Sequence, residues 1–168
     1  DNQPKAMIPL KDKSILEHIL DTYRNHGINK IHVVRGYKKE SINFPELNYI
    51  DNDDHETTSE LSSFHKAIDQ ISGDIVCSFG DVLFKPYLLQ LLDECEDDLV
   101  IVVDTQWKDS VNKDRAADYV NCSQPHSRAN YGDSIFLESA GENLGEDSIH
   151  GEWMGIIKIS SAIFPTVR

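Results

Sequence analysis

The chain has 168 residues with 39% hydrophobic content, the size and composition of one globular domain around a single core. No apolar run approaches the roughly 18–20 residues that cross a bilayer and no basic-then-apolar leader opens the chain, so the expectation is a soluble, cytoplasmic protein with no membrane partner. The net charge of −13 excludes a protein whose main task is gripping nucleic acid, because that affinity comes largely from Lys and Arg displacing counterions.

The charge is unevenly spread. Lys5, Lys11, Lys13, Arg24, Lys30, Arg35, Lys38 and Lys39 are half of the 16 basic residues, and only Asp1, Asp12, Glu17 and Asp21 oppose them in the first 39 positions. Such a basic front either favours an anion at that end or is a solvated helix face. Ser14 and Glu17 have capping-box spacing, and Ile15, Leu16, Ile19, Leu20 and Tyr23 repeat at helical intervals up to Gly27, which predicts a helix. The β-branched run 30–34, ended by Gly36, predicts a buried parallel strand, and residues 47–50 a shorter one. A second helix is predicted from Ser59, with Leu61, Phe64, Ala67, Ile68 and Ile71 on one face. Residues 74–78 read as a strand, Pro86 opens a helix through Leu92, and 99–103 is the clearest strand of the chain. From 105 to 150 the periodicity is lost, and this stretch is expected to be an insertion or lid in a single domain spanning 1–168. Residues 155–159 restore a strand before a final helix.

Alternating helices and short apolar strands predict an α/β fold with a doubly wound, mostly parallel, Rossmann-like sheet. Opening at Asp1 without a strand and closing as a helix begins, the chain reads as truncated at both ends. In such sheets ligands meet the loops after the strands, here residues 35–37, 51–56, 79–81 and from Asp104 onward. Cys77, Cys95 and Cys122 are odd in number and far apart, with only His126 near one of them, so reduced thiols are expected rather than a zinc site.

Three features carry chemistry at those places. Lys5, held between Pro4 and Pro9, is suited to phosphate oxygens, or is an exposed turn lysine. Asp81, after Gly80 at a strand end, is placed to hold Mg²⁺ against a triphosphate, or to cap the helix that follows. Glu152 and Trp153, between Gly151 and Gly155, offer an acidic ligand and an aromatic wall, or form a hairpin turn with a buried Trp.

Four stretches in order then carry a resemblance. They are Pro4-Lys5 with Lys13-Ser-Ile-Leu-Glu-His-Ile19; Ile31-His-Val-Val-Arg-Gly36-Tyr37-Lys38-Lys39-Glu40; the loop from Asn52 to Ser63; and Phe79-Gly80-Asp81. Residues 1 to about 84 are similar to the front half of the nucleotidyltransferases that include sugar-1-phosphate nucleotidyltransferases and phosphocholine and phosphonate cytidylyltransferases. The segments 114–123 and 150–156 resemble cytidylyltransferase domains found with phosphoenolpyruvate mutases. The resemblance implies that Lys5 is catalytic and contacts the nucleotide phosphates, that Asp81 binds nucleotide through Mg²⁺, and that Ser59, Ser62 and Ser63 approach base and ribose. It further implies that Arg115, Arg128 and Lys108 pair with an acceptor phosphonate, or else form surface ion pairs; with Asp104 at a strand end and Glu152 as a metal or acceptor ligand they make the expected acceptor set. The implied reaction moves an NMP, CMP favoured, from an NTP to a small phosphate or phosphonate acceptor and releases pyrophosphate. Fusion to another enzyme domain and homo-oligomerisation are compatible partners. The family's glycine-rich loop and a late acidic residue would lie outside positions 1–168, so this piece alone is expected to catalyse poorly. A sugar-1-phosphate nucleotidyltransferase and a catalytically inactive nucleotide-binding or assembly module stay open as alternatives.

Overall fold

The structure is a computed structural model that describes residues 2–111 and 117–167. The chain divides into two compact units, residues 1–100 with 158–168 and residues 101–157.

In the first unit a turn of 3-10 helix, Lys5–Met7, leads into a small antiparallel hairpin of β1 (Pro9–Leu10) and β2 (Lys13–Ser14). Helix α1 (Ile15–Asn25) starts where the sequence signals it. Glu17 N–H donates to Ser14 Oγ at 3.3 Å, and Glu17 Oε2 accepts from Ser14 N–H at 2.7 Å, so two otherwise orphaned backbone donors are satisfied reciprocally. Its buried positions Leu16, Ile19, Leu20 and Tyr23 form one stripe at i, i+3, i+4 and i+7, each stabilising by about 1.5–3 kcal/mol when fully buried. Leu16 and Leu20 join Ile42 and Leu47 in a core against which Ala6, Met7, Val33 and Tyr49 pack. The segment carrying Lys5 is thereby anchored to the body of the unit.

Strand β3 (His32–Arg35) pairs in parallel with β4 (Asn48–Asp51), with Arg35 opposite Asp51 at their shared C-terminal end. Helix α2 (Glu60–Ile68) follows the loop after β4 and ends earlier than its apolar pattern, which runs to Ile71. Strand β5 (Ile75–Ser78) and helix α3 (Tyr87–Glu94) come next. Lys158 Nζ donates to the carbonyls of Leu92 (2.8 Å) and Cys95 at the end of α3, where helical carbonyls lack partners. The short helix α4 (Phe164–Val167) closes the unit.

The second unit is antiparallel where its pairing is described. It holds most of β6 (Leu99–Asp104), with β7 (Tyr119–Cys122), β8 (Leu137–Gly141) and most of β9 (Gly151–Ile159). Strand β7 lies between β8 (Val120 opposite Ala140) and β9 (Val120 opposite Gly151). A Cβ at Gly151 would run into Val103 Cγ1 and lie 2.9 Å from the Asp104 carbonyl, so only glycine lets these backbones approach so closely. The α/β expectation thus stands, with parallel pairing in β3–β4, and the stretch without periodicity contains a β-ribbon of its own. Strand β9 begins at Gly151 rather than 155, so Glu152 and Trp153 belong to the strand and not to a hairpin turn before it.

The three cysteines are free, and burial pushes the Cys77 thiol above its ordinary value. Among the described residues no helix is long and apolar enough to cross a membrane.

Candidate functional site

A cleft of about 280 Å³ opens at the C-terminal ends of β3 and β4, where parallel strands of α/β folds present their ligand loops. It is lined by Gly36 and Tyr37 after β3, by Asn52, His55 and Thr58 of the loop after β4, and by Ser59 and Ser63 at the α2 N-terminus. Gly36 lies close against the loop after β4. A Cβ there would lie 2.6 Å from His55 Cβ and 2.8 Å from His55 Cγ, so a side chain at 36 would push the 52–58 loop away.

The loop is organised by Asn52, whose side chain is 1% exposed. Its Nδ2 donates to Thr58 Oγ1 and Ser63 Oγ, each at 3.0 Å. Its Oδ1 accepts from Lys66 Nζ at 2.7 Å and from the Asp54 N–H at 3.3 Å. Two donors and two acceptor sites are the full capacity of a carboxamide, so the group is completely satisfied. Lys66 also reaches the Asp54 carboxylate at 3.0 Å. Ser59 caps α2 by backbone geometry without a side-chain hydrogen bond, so its hydroxyl does not occupy the helix's first N–H groups.

Among the described residues, four of the eight cations of the basic front are paired with carboxylates. Arg35 Nε pairs with Asp51 at 2.9 Å while its guanidinium lies 3.7 Å from the Tyr49 ring centroid. Lys39 pairs with Asp51 and Asp53, Arg24 with Glu46, and Lys13 with Asp21. The hydrogen bond from Arg35 holds the Asp51 carboxyl below its usual range. Lys5 is exposed on its 3-10 turn and makes no ion pair with any described residue.

The sequence-predicted residues fall as follows. Ser59 and Ser63 line the cleft, and Ser62, half-buried on the same helix, does not. Asp81 is exposed in the turn after β5. It does not cap α3, whose N-cap is Pro86. A Cβ on Gly80 would lie 3.6 Å from Ala6 Cβ, so the turn carrying Asp81 and the turn carrying Lys5 are in contact through the residues next to them in the chain. The two charged groups are not paired with each other.

In the second unit Asp104 is half-buried at the end of β6, its Oδ1 accepting from the Gln106 N–H at 2.8 Å, and its carbonyl lies against Gly151. Glu152 is buried in β9, and Arg128 is exposed on the 3-10 turn Arg128–Asn130. Arg115 lies outside the described residues. No group of three His, Cys, Asp or Glu side chains that could cage a metal exists among the described residues.

The loop is marked in the sequence, but its organisers, Asn52 and Lys66, are not singled out. A signal for Lys66 was present: Ser59, Ser63 and Lys66 are spaced i, i+4 and i+7, one face of a helix, and Ser62 is off that line.

Residues 1–137 match the profile of the MobA-like NTP transferase domain. The CTP:phosphoglutamine cytidylyltransferase of Campylobacter jejuni is 25% identical over 170 residues, covering 95% of this chain and 66% of that protein. The CMP-5'-(3-aminopropyl)phosphonate synthase of Streptomyces rubellomurinus is 28% identical over 98 residues, covering 54% of this chain and 16% of that protein. Among solved structures, the inositol-1-phosphate CTP transferase from T. maritima superposes with a TM-score of 0.73 at 15% identity, over 97% of this chain and 64% of that one. The last likeness carries the fold, and the chain spans less than two thirds of the length of each of these proteins.

Proposed function

The chain belongs to the MobA-like NTP transferase domain family, and from that membership we propose that it moves a nucleoside monophosphate, CMP in preference to others, from an NTP to a small phosphorylated or phosphonylated acceptor. The observation that carries the reading is the contact of Gly80 with Ala6, which makes neighbours of an unpaired ammonium turn and an unpaired carboxylate turn in the first unit. An anionic triphosphate with its counter-cation is the ligand that uses both signs of charge.

In this reading Lys5 offsets the charge that develops on the α-phosphoryl oxygens. Asp81 would hold Mg²⁺, which supplies further positive charge to the phosphates. A lone exposed carboxylate suits that ion, which keeps several waters and takes only one or two protein carboxylates. Base and ribose occupy the cleft between Gly36 and Ser59/Ser63, with Asn52 and Lys66 fixing the loop beneath them. A phosphate or phosphonate oxygen of the acceptor attacks the α-phosphorus in line. A new P–O bond forms, the bond to the β-phosphate bridging oxygen breaks, and pyrophosphate departs with the electron pair. The attacking oxygen is already unprotonated at neutral pH, so no protein base is needed and positioning supplies the rate.

The names of the Campylobacter and T. maritima proteins, both CTP-dependent, support the choice of cytidine. Pyrophosphate release is the test, measured with CTP, UTP, GTP and ATP against a panel of phosphonates, phosphate monoesters and a sugar 1-phosphate. CTP-dependent release with a non-sugar acceptor is expected. Release only with a sugar 1-phosphate would replace this acceptor class, and nucleotide binding without release under any pairing would favour an inactive binding module.

A further inference from the structure

The second unit holds a cleft of about 450 Å³ between the 3-10 turn Trp107–Asp109, the segment around His126, and Ile149–His150 at the entry to β9. Its size is that of a small-molecule site. Trp107 forms a half-buried wall, tilted against Tyr119 with ring centroids 4.8 Å apart, which fixes the indole in place. Lys108 Nζ stands 5.3 Å from the Trp107 ring centroid, an ammonium held over the edge of the cleft. His150 is oriented from behind. The Cys122 N–H donates to its Nδ1 at 3.1 Å, so the neutral imidazole must carry its proton on Nε2 and is a hydrogen-bond donor there. His126 adds a second imidazole. Asp109 places a carboxylate on the same wall, so the cleft is balanced rather than uniformly basic and suits a single phosphoryl head better than a triphosphate.

We infer that this cleft is a binding site for a small organophosphorus anion, a phosphate monoester or phosphonate whose PO₃ group meets Lys108, His126 and His150 while its organic part lies on Trp107. The inference rests on the proposed transfer only for the ligand's role as acceptor; the binding itself stands on the geometry. It names Lys108 and two histidines, of which the sequence had pointed only to Lys108.

The test is calorimetric titration of the chain, without nucleotide, with phenylphosphonate, phenyl phosphate and inorganic phosphate. Saturable binding of at least one phenyl compound is expected, and their relative affinities name the preferred head group. Inorganic phosphate, which leaves Trp107 uncovered, binds at least tenfold more weakly, and Trp107→Ala removes that preference. Lys108→Met and His150→Phe each weaken binding at least tenfold. Lys108 is exposed, so its substitution reads out even where the histidine variant fails to fold. No saturable binding of either phenyl compound, Lys108→Met within twofold of wild type, or displacement by CTP without Mg²⁺ would overturn the assignment. A chain that binds no CTP at all leaves this readout intact, so the two proposals fail separately.

Discussion

Replacing Asn52 by alanine removes a buried side chain that ties the loop after β4 to helix α2, leaving the Lys66–Asp54 ion pair as a remaining tie. Two neutral hydrogen bonds, to Thr58 and Ser63, are each worth about 1 kcal/mol net, and the one accepted from the Lys66 ammonium about 1.5–3 kcal/mol. Lys66 keeps Asp54 and has a side chain 35% exposed, so water recovers part of the loss. The expected cost is about 3 kcal/mol, which for a chain of this size lowers the melting temperature by about 6–12 °C. Because the freed loop carries His55 and Thr58 of the cleft, CTP affinity should fall at least tenfold in conditions where the variant is still folded. Asn52→Asp keeps an acceptor for Lys66 and should lose less. Urea unfolding followed by circular dichroism gives the stability, and calorimetry gives the affinity. An alanine variant within about 0.5 kcal/mol of wild type that binds CTP unchanged would refute the reasoning, since it would mean the network neither holds the loop nor shapes the cleft.

Gly36→Ala should destabilise by about 1–3 kcal/mol and weaken CTP binding, because its Cβ meets His55 at 2.6 Å, and adding His55→Gly should restore most of both; thermal melts of the single and double variants check it. Lys158→Met should cost about 1–3 kcal/mol in urea unfolding by leaving the last carbonyls of α3 without their charged donor. The carboxyl of Asp51 is held low by Arg35, so its contribution is fully present above the ordinary carboxylate range and is lost as pH falls through the lower folded value. Unfolding measured between pH 5 and 3 should therefore show a flatter acid arm in Asp51→Asn than in wild type.

What could be read from the sequence follows from the range of the interactions. The α1 capping box and apolar stripe, the start of α2 after Ser59 and the short strands β3, β5 and β6 are local patterns and form where the sequence marks them, whereas the α2 stripe is cut short at Ile68 and leaves Leu61 exposed. The ribbon of β7 and β8 escaped because β8 reads Leu-Glu-Ser-Ala-Gly and is almost wholly exposed, so no alternation marks it. Its pairing depends on partners elsewhere in the chain. The strand-end rule led to the loops after β3 and β4, and the cleft is there. Which residues hold those loops was not legible, because the Gly36–His55 approach and the Asn52 network are tertiary contacts. Within the basic front, four of the eight cations are neutralised by carboxylates that folding brings close, which a count of charges along the chain does not show.

The central claim is that the turn of Lys5 and the turn of Asp81 hold one triphosphate. Titrating CTP with Mg²⁺ into the wild-type chain and into Lys5→Ala and Asp81→Asn tests it most directly. The account predicts saturable, Mg²⁺-dependent binding that each substitution weakens at least tenfold, with the thermal midpoint unchanged in the absence of ligand. CTP bound equally well by all three proteins would contradict it.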